Sequence, residues 1–202
     1  MPFTPFHMGV GLAAKAVAGR HFSVLTFGIA QVAMDIEPLV GMLRQSAVLH
    51  GPTHTYLGAV PIALVAAAAT PWLCGPLLRR WNQEVAHYGM PWLQEEASWK
   101  PHIVVLSALA GTFSHVLLDS VMHLDIRPLA PWSDANGLYH SISLSALHGL
   151  CAAGIVAGAV GWLLRRWLGR QARLCAVTRS SAKSSTESGE SARGFDSLKS
   201  RR

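Results

Sequence analysis

The sequence contains few charged residues for its length. Asp, Glu, Lys and Arg make up 14% of its 202 residues, while 50% are apolar. An average soluble domain has about 25% charged residues, so this chain lacks the charge needed to cover a water-facing surface. The length suffices for one compact domain, and the apolar content excludes disorder along the whole chain.

Paired cysteines and familiar catalytic or targeting motifs are also missing. Cys74, Cys151 and Cys175 are widely spaced and form no paired-cysteine motif, which excludes a disulfide scaffold. The N-terminal residues 1–7 lack a positively charged segment before a short apolar core, so we expect no removable signal peptide. The sequence contains no phosphate-binding glycine-rich loop, nucleophile elbow or nucleotide fingerprint.

Long apolar runs are present instead. Four of them reach the roughly 20 residues that a membrane-spanning helix needs: Phe22–Leu43, Tyr56–Leu78, His102–Met122 and Ile142–Leu168. A shorter run, Pro5–Gly19, is either a further span or a short helix packed on the others. We therefore predict an all-α polytopic membrane bundle of four to five transmembrane helices. A soluble bundle is the alternative, but residues 56–78 contain no charged side chain and no amphipathic stripe.

The positive charge is concentrated at the C-terminus. The net charge is +6 overall, and the residues from Arg165 onward carry ten basic and three acidic side chains, a net +7. We predict a membrane-embedded domain over residues 1–168 and a disordered basic tail over residues 169–202. Lys and Arg collect on the cytoplasmic side of membrane proteins. The C-terminus is therefore predicted to be cytoplasmic, in a multi-pass protein of the cell inner membrane, with the lipid bilayer and not nucleic acid as its partner.

Ionisable residues inside apolar spans are costly and are candidates for a functional site. In the third run, His115, Asp119 and His123 are spaced four residues apart, which on a helix places them toward one side. Imidazole and carboxylate groups suit a divalent ion, with zinc favoured and manganese as the alternative. The competing interpretation is a helix end with snorkelling histidines and a capping aspartate.

Three further polar groups are predicted on the same, external side of the membrane. They are His7, the pair Asp35 and Glu37, and the pair His50 and His54, which bracket a Gly-Pro turn. On a regular helix, residues two apart such as Asp35 and Glu37 diverge by about 200°, unless Pro38 distorts the backbone or only one of them is a ligand. Because all these groups share one side in the predicted topology, we expect a composite metal site there.

These motifs together resemble a known family over residues 1–140. An N-terminal His, an Asp-x-Asp/Glu pair, a His-Gly-x-Thr-His turn and a late His-x-x-x-Asp are similar to the bacterial membrane-bound proteins described as predicted metal-dependent hydrolases. Some of these are distantly compared with zinc-dependent phospholipase C. The resemblance implies a metal site at His7, Asp35, Glu37, His54, His115 and Asp119. The family motif often reads Pro-Asp-x-Asp-His, where this chain has Met34, Glu37 and Pro38.

The predicted function is a membrane-bound, metal-dependent hydrolase that acts on a phosphoester or lipid-like substrate at the external face. The predicted metal ligands are His7, Asp35, His50, His54, His115, Asp119 and His123. A carboxylate not used by the metal, Glu37 or Asp125, is the predicted general base. Two alternatives remain: a non-catalytic protein that binds or conducts a divalent cation, and a protein whose polar residues only link helices while its tail anchors lipid.

Overall fold

The computed structural model describes residues 4–46, 48–95 and 99–199. Within these residues the secondary structure is helical and no strand occurs, which confirms the predicted fold class. The chain divides into two units, Met1–Leu163 and Leu164–Arg202. The α-helices are α1 (Thr4–Ala18), α2 (Val24–Met34), α3 (Ile36–Leu43), α4 (Tyr56–His87), α5 (Pro101–Met122) and α6 (Leu144–Lys199).

Four segments are long and apolar enough to cross a membrane. They are Val24–Leu43, Tyr56–His87, Pro101–Met122 and Leu144–Ala172, and each overlaps one of the four runs predicted from the sequence. α1 has 15 residues, fewer than the roughly 20 that a span requires. Whether α1 crosses the membrane as a fifth helix stays a prediction.

The first predicted run is interrupted at Asp35. α2 ends at Met34 and α3 begins at Ile36, with Asp35 between them at φ −72° and ψ −8°. Pro38 is the third residue of α3, where its missing N–H costs nothing because the first turn has no intrahelical partner for it. α2 and α3 therefore do not form one regular helix. The angle of about 200° between the side chains of residues two apart applies to a regular helix, so it does not apply to Asp35 and Glu37.

Small residues allow α2, α4 and α5 to pack closely. The buried residues of this contact are Ala30, Ala63, Ala66, Ala67, Val104 and Ala108. A Cβ added at Gly111 of α5 would lie 2.9 Å from both the Ala30 Cβ and the Phe27 carbonyl oxygen of α2. Such small-residue contacts are typical of helices that associate within a membrane. The close approach also brings the C-terminal end of α2 beside His115.

α1 packs on the first part of α6 through glycines. A Cβ added at Gly158 would lie 2.4 Å from the Leu12 carbonyl carbon, and one added at Gly9 would lie 2.2 Å from the Cys151 oxygen. The two backbones therefore approach more closely than any larger side chain would permit. Together with the packing of α1 on α2 and α5, this contact positions α1 and hence His7.

The bundle exposes many large apolar side chains and buries several polar ones. Leu64, Val65 and Trp72 of α4 are 51%, 67% and 86% exposed, while Gln31 of α2 and Thr112 of α5 are fully buried. A water-soluble bundle hides its large apolar side chains. The distribution seen here instead suits an apolar solvent around the helices and argues against the soluble alternative.

α6 extends beyond the fourth candidate span, as far as Lys199. The residues after Ala172 fall within the segment 169–202, which is rich in Ser, Arg and Lys and for which the sequence predicts disorder. A segment of this composition has few apolar side chains to bury, and helices in proteins gain most of their stability from packing. The disorder of this segment in solution stays a prediction.

Candidate metal centre

His115 and Asp119 lie one turn apart on α5 and form the inner part of the site. His115 Nε2 is 3.1 Å from Asp119 Oδ2, as their four-residue spacing predicts. His7 of α1 approaches with its Nε2 3.5 Å from Asp119 Oδ1. Asp35 places Oδ1 3.4 Å from His115 Nε2. Both α5 side chains are fully buried and His7 is 2% exposed, so water has little access to this part of the cluster.

The connection between α3 and α4 supplies the outer part of the site. His54 Nε2 lies 3.7 Å from Asp119 Oδ2, and the rings of His50 and His54 have centroids 4.9 Å apart. The ring of His123 lies 4.4 Å from that of His50.

His123 follows directly after the last residue of α5. The helix ends at Met122, and His123 has an extended backbone at φ −120° and ψ 125°. Its backbone N–H still bonds to the Asp119 carbonyl, at 2.8 Å, as in a further helical turn. His123 thus lies beside His50 in the cluster, and its role as a ligand stays a prediction.

Three histidines use one ring nitrogen to bind a side-chain oxygen. His115 Nδ1 is 2.6 Å from Gln31 Oε1, His54 Nδ1 is 3.3 Å from Glu37 Oε2, and His50 Nδ1 is 3.0 Å from Asp125. In each pair the imidazole N–H donates to the oxygen, which leaves the Nε2 lone pair directed into the cluster. Metal-bound histidines are oriented in this way by their hydrogen-bond acceptors.

Gln31 is a residue of the site that the sequence did not reveal. Its amide nitrogen donates to the Gly111 carbonyl and to Ser114 Oγ, each at 3.1 Å, which turns Oε1 toward His115. In the sequence, Gln31 stands out only as a polar residue in an otherwise apolar helix, four residues before Asp35. Its amide is neutral, so it lacks the ionisable group by which the other site residues were predicted.

The two predicted general bases both bind the turn that carries His50 and His54. Glu37 accepts from the Gly51 N–H at 3.1 Å, from the Thr53 hydroxyl and from His54. Asp125 accepts from the N–H groups of Leu49 and His50, at 3.3 and 3.2 Å. Burial opposes ionisation of Asp125, but its hydrogen bonds with His50 outweigh burial and lower the pKa of this carboxyl. Glu37 and Asp125 therefore each hold one imidazole ring in place, Glu37 that of His54 and Asp125 that of His50.

Buried polar atoms without a hydrogen-bond partner are concentrated in this cluster. Among the described residues, all such side-chain atoms belong to predicted site residues: both oxygens of Asp35 and of Asp119, and Nε2 of His50, His54, His115 and His123. Leaving one such group unpaired costs about 1–3 kcal/mol. Burial lowers the pKa of His54 to about 4, so this imidazole is neutral at pH 7 and available as a ligand.

The distances and the chemistry of these atoms fit a divalent cation. Three sets of residues place their ligand atoms within 4.8 Å of one another: His7, His115 and Asp119; His50, His54 and Asp119; and His50, His123 and Asp125. Around a tetrahedral ion with bonds of about 2.0–2.1 Å, neighbouring ligand atoms are roughly 3.3 Å apart. The observed separations of 3.1–3.7 Å are close to that value. The buried His and Asp groups could therefore hold a metal ion.

A cavity of about 770 Å³ lies beside the outer part of the cluster. His50 and Asp125 contribute to its wall, together with Leu57 and Pro61 at the start of α4 and with Arg127. The Arg127 guanidinium is 3.1 Å from Asp134, and both side chains are largely exposed. The cavity thus joins polar site residues to an apolar surface at the end of a candidate span.

Comparison with protein families places the chain among proteins without an assigned activity. A family model described as "Domain of unknown function (DUF4184)" matches residues 1–186, and the chain belongs to this family. Comparisons with curated proteins and with solved structures give no significant match. The family model thus assigns no activity to the chain.

Proposed function

We propose that this protein is a metal-dependent hydrolase of the inner membrane that acts on a phosphoester or lipid-like substrate at the external face. The observation that carries the proposal is a group of buried, unpaired His and Asp atoms next to an open cavity. A purely structural metal site has all its positions filled by protein, whereas a catalytic site keeps one open to substrate. The motif resemblance to metal-dependent hydrolases points the same way.

The residues of the cluster divide by position into ligands and supports. His7, Asp35, His115 and Asp119 are the ligands on the inner side, and His50, His54 and His123 are those on the outer side. A bound divalent ion, zinc in the first instance, would polarise a substrate oxygen and activate water. Gln31, Glu37 and Asp125 hold the imidazole rings in the orientation that binding requires.

Asp125 is better placed than Glu37 to act as the general base. The Asp125 side chain is 35% exposed and forms part of the cavity wall, so it can accept a proton from a water molecule that attacks the substrate. The Glu37 side chain is 27% exposed and does not contribute to the wall of this cavity. General-base catalysis typically contributes about 10²–10⁴-fold in rate.

The cavity favours a substrate with both apolar and anionic parts. Leu57, Pro61 and Pro131 offer apolar surface, and the same wall carries the Arg127 guanidinium, whose exposed pair with Asp134 a phosphate group would have to replace. Arginine is well suited to bind phosphate oxygens in pairs. A phospholipid or another phosphoester with an alkyl group would satisfy both parts of this surface.

The distribution of basic residues supports an external site and a cytoplasmic C-terminus. Arg79 and Arg80 lie toward the C-terminal end of α4, and Lys100 precedes α5. The site lies at the opposite ends of these two helices, next to Tyr56 and Met122. Because Lys and Arg favour the cytoplasmic side, the cluster belongs at the external end of the bundle.

Metal analysis of the purified full-length protein tests the proposal. We expect the wild type to retain a divalent metal and the double variant His115→Ala, Asp119→Ala to lose it. His102→Ala is the matched control, since His102 lies exposed on the same helix. Equal metal content in the wild type and the double variant would disprove the metal site.

Turnover is tested with the wild type and an Asp125→Asn variant, assayed against phospholipids and synthetic phosphoesters. We expect Asp125→Asn to keep its metal, because the amide oxygen can still accept the hydrogen bond from His50 Nδ1, but to lower kcat by about 10²–10⁴-fold because an amide cannot take up a proton. The full burial of His115 and Asp119 also favours a second candidate, a resident cation that takes part in no reaction. A wild type that holds metal but hydrolyses none of these substrates would support that non-catalytic candidate.

A further inference from the structure

We infer that the cluster is a centre for two divalent ions, with the Asp119 carboxylate as the bridge between them. This inference rests on the metal site of the proposed function and adds the number of ions and their ligands. The inner ion is assigned to His7, His115 and Asp119, and the outer ion to His50, His54 and Asp119. Each of these sets keeps its ligand atoms within 4.8 Å of one another.

Asp119 is the residue that the inner and outer sets share. Its Oδ1 faces His7 Nε2 at 3.5 Å, and its Oδ2 lies between His115 Nε2, at 3.1 Å, and His54 Nε2, at 3.7 Å. Neither oxygen has a hydrogen-bond partner, and the side chain is completely buried. A carboxylate with ligand groups on two sides and no competing hydrogen bond is suited to bridge two cations.

The number of unpaired atoms exceeds what one ion can satisfy. Eight buried nitrogen and oxygen atoms of the cluster lack a hydrogen-bond partner. A four-coordinate ion such as structural zinc would bind at most four of them and leave the other four with neither a metal nor a hydrogen-bond partner. Two ions that share a carboxylate bring most of these atoms into a coordination shell.

The charge of the cluster also matches two divalent ions. Asp35, Glu37, Asp119 and Asp125 carry four negative charges when ionised. Within the part of the chain that the structure describes, their ion pairs are all with histidines. Two divalent cations would balance the four carboxylates, whereas a single one would leave a net charge of two at a site whose central carboxylate, Asp119, is fully buried. Uncompensated buried charge is strongly unfavourable.

The third set of possible ligands does not require a third ion. It contains His50, His123 and Asp125, but His50 Nδ1 is already bonded to Asp125 at 3.0 Å. His50 therefore has only Nε2 left for a metal, and that atom serves the outer ion. The unpaired Nε2 of His123 adds a ligand to the outer ion on the side of the cavity.

The test is the number of manganese ions bound per chain by the full-length protein in detergent. The wild type is expected to bind two Mn²⁺ per chain. His7→Ala and His50→Ala are each expected to bind one, because each removes a ligand from a different ion, and Asp119→Asn is expected to weaken both. His102→Ala and Asp134→Asn are the matched controls, and each should still bind two.

Electron paramagnetic resonance of the Mn²⁺-loaded protein provides a second readout. Two ions bridged by one carboxylate are expected to give a spin-coupled signal in the wild type and an uncoupled six-line signal in His7→Ala and His50→Ala. This measurement on the wild type alone remains decisive if Asp119→Asn fails to fold. One ion per chain, lost equally in both histidine variants, would overturn the two-ion assignment and leave the metal site of the proposed function intact. A wild type that binds no divalent metal would overturn both.

Discussion

At the scale of single residues, the site depends on how three imidazole rings are held. His50, His54 and His115 each bind an oxygen through Nδ1 and present Nε2 to the centre of the cluster. Asp125, Glu37 and Gln31 supply those oxygens. Removal of one acceptor frees a ring to rotate or to change tautomer without deleting the ligand itself.

The substitution Gln31→Leu tests this role. It keeps the approximate size of the side chain but removes the acceptor for His115 Nδ1, so we expect the affinity for the metal to fall by about 10–100-fold. Competition with a chelating dye measures the change. Gln83→Leu, at an exposed position of α4, serves as the control. An unchanged affinity in Gln31→Leu would show that the hydrogen bond does not orient the ring.

Residue type and context made most of the cluster predictable. His7, Asp35, His54, His115 and Asp119 are ionisable groups in apolar surroundings, where their cost marks them as functional. The sequence could not show that Asp35 contacts His115 while Glu37 contacts His54, because this depends on the helix break at Asp35. The sequence also could not identify Gln31 as a site residue, because burial of its neutral amide does not carry the energetic cost of burying a charged group.

At the scale of helices, the position of His7 depends on the contact between α1 and α6. Gly158 and Gly9 allow the two backbones to touch, and His7 lies one half-turn before Gly9 on α1. The sequence shows where the glycines are, but not which helix each of them contacts. The close contact between α1 and α6 is therefore seen only in the three-dimensional structure.

The substitution Gly158→Val is expected to weaken the inner part of the site from a distance. Its side chain would clash with the backbone at Leu12, and overpacking of this kind typically costs about 1–3 kcal/mol. Displacement of α1 would remove His7 from Asp119, so the metal content should fall toward that of His7→Ala. Gly149→Val is the control, because a Cβ at Gly149 would meet nothing within 4 Å. Equal metal content in both variants would contradict this coupling.

At the scale of the whole molecule, the ligands come from α1, α5, the break between α2 and α3, and two connections. A cation bound by all of them links separate parts of the bundle. Ligands that bind only the folded state stabilise it by about 2.7 kcal/mol at a concentration one hundred times Kd. The bound metal should therefore contribute measurably to the thermal stability of a chain that has no disulfide scaffold.

Removal of the metal with EDTA is expected to lower Tm by on the order of 5–10 °C, since 1 kcal/mol shifts Tm by about 2–4 °C in a protein of this size. Differential scanning fluorimetry in detergent measures the shift, and added Zn²⁺ should restore it. The double variant His115→Ala, Asp119→Ala should show no response to EDTA. A comparable response in that variant would assign the effect to some other site.

The orientation of the bundle is tested by labelling with a membrane-impermeant maleimide. In a background where Cys74, Cys151 and Cys175 are replaced by serine, we expect Ala135→Cys to be labelled from the external side and Tyr88→Cys only after lysis. Both positions are exposed, and they lie in connections at opposite ends of α5. The reverse pattern would place the cluster on the cytoplasmic side and contradict the proposed location of the substrate.

The contact between α1 and α6 also has a consequence for the order in which the site is completed. Synthesis runs from the N-terminus, so His7 is made first and the last candidate ligand, Asp125, is made well before Gly158. α6 supplies none of the predicted ligands, yet it provides the surface on which α1 rests. His7 is thus the earliest ligand to be synthesised, and α1, which also packs on α2 and α5, gains its last packing surface only when α6 joins the bundle. Metal retention is therefore expected to be highest once the final span is in place.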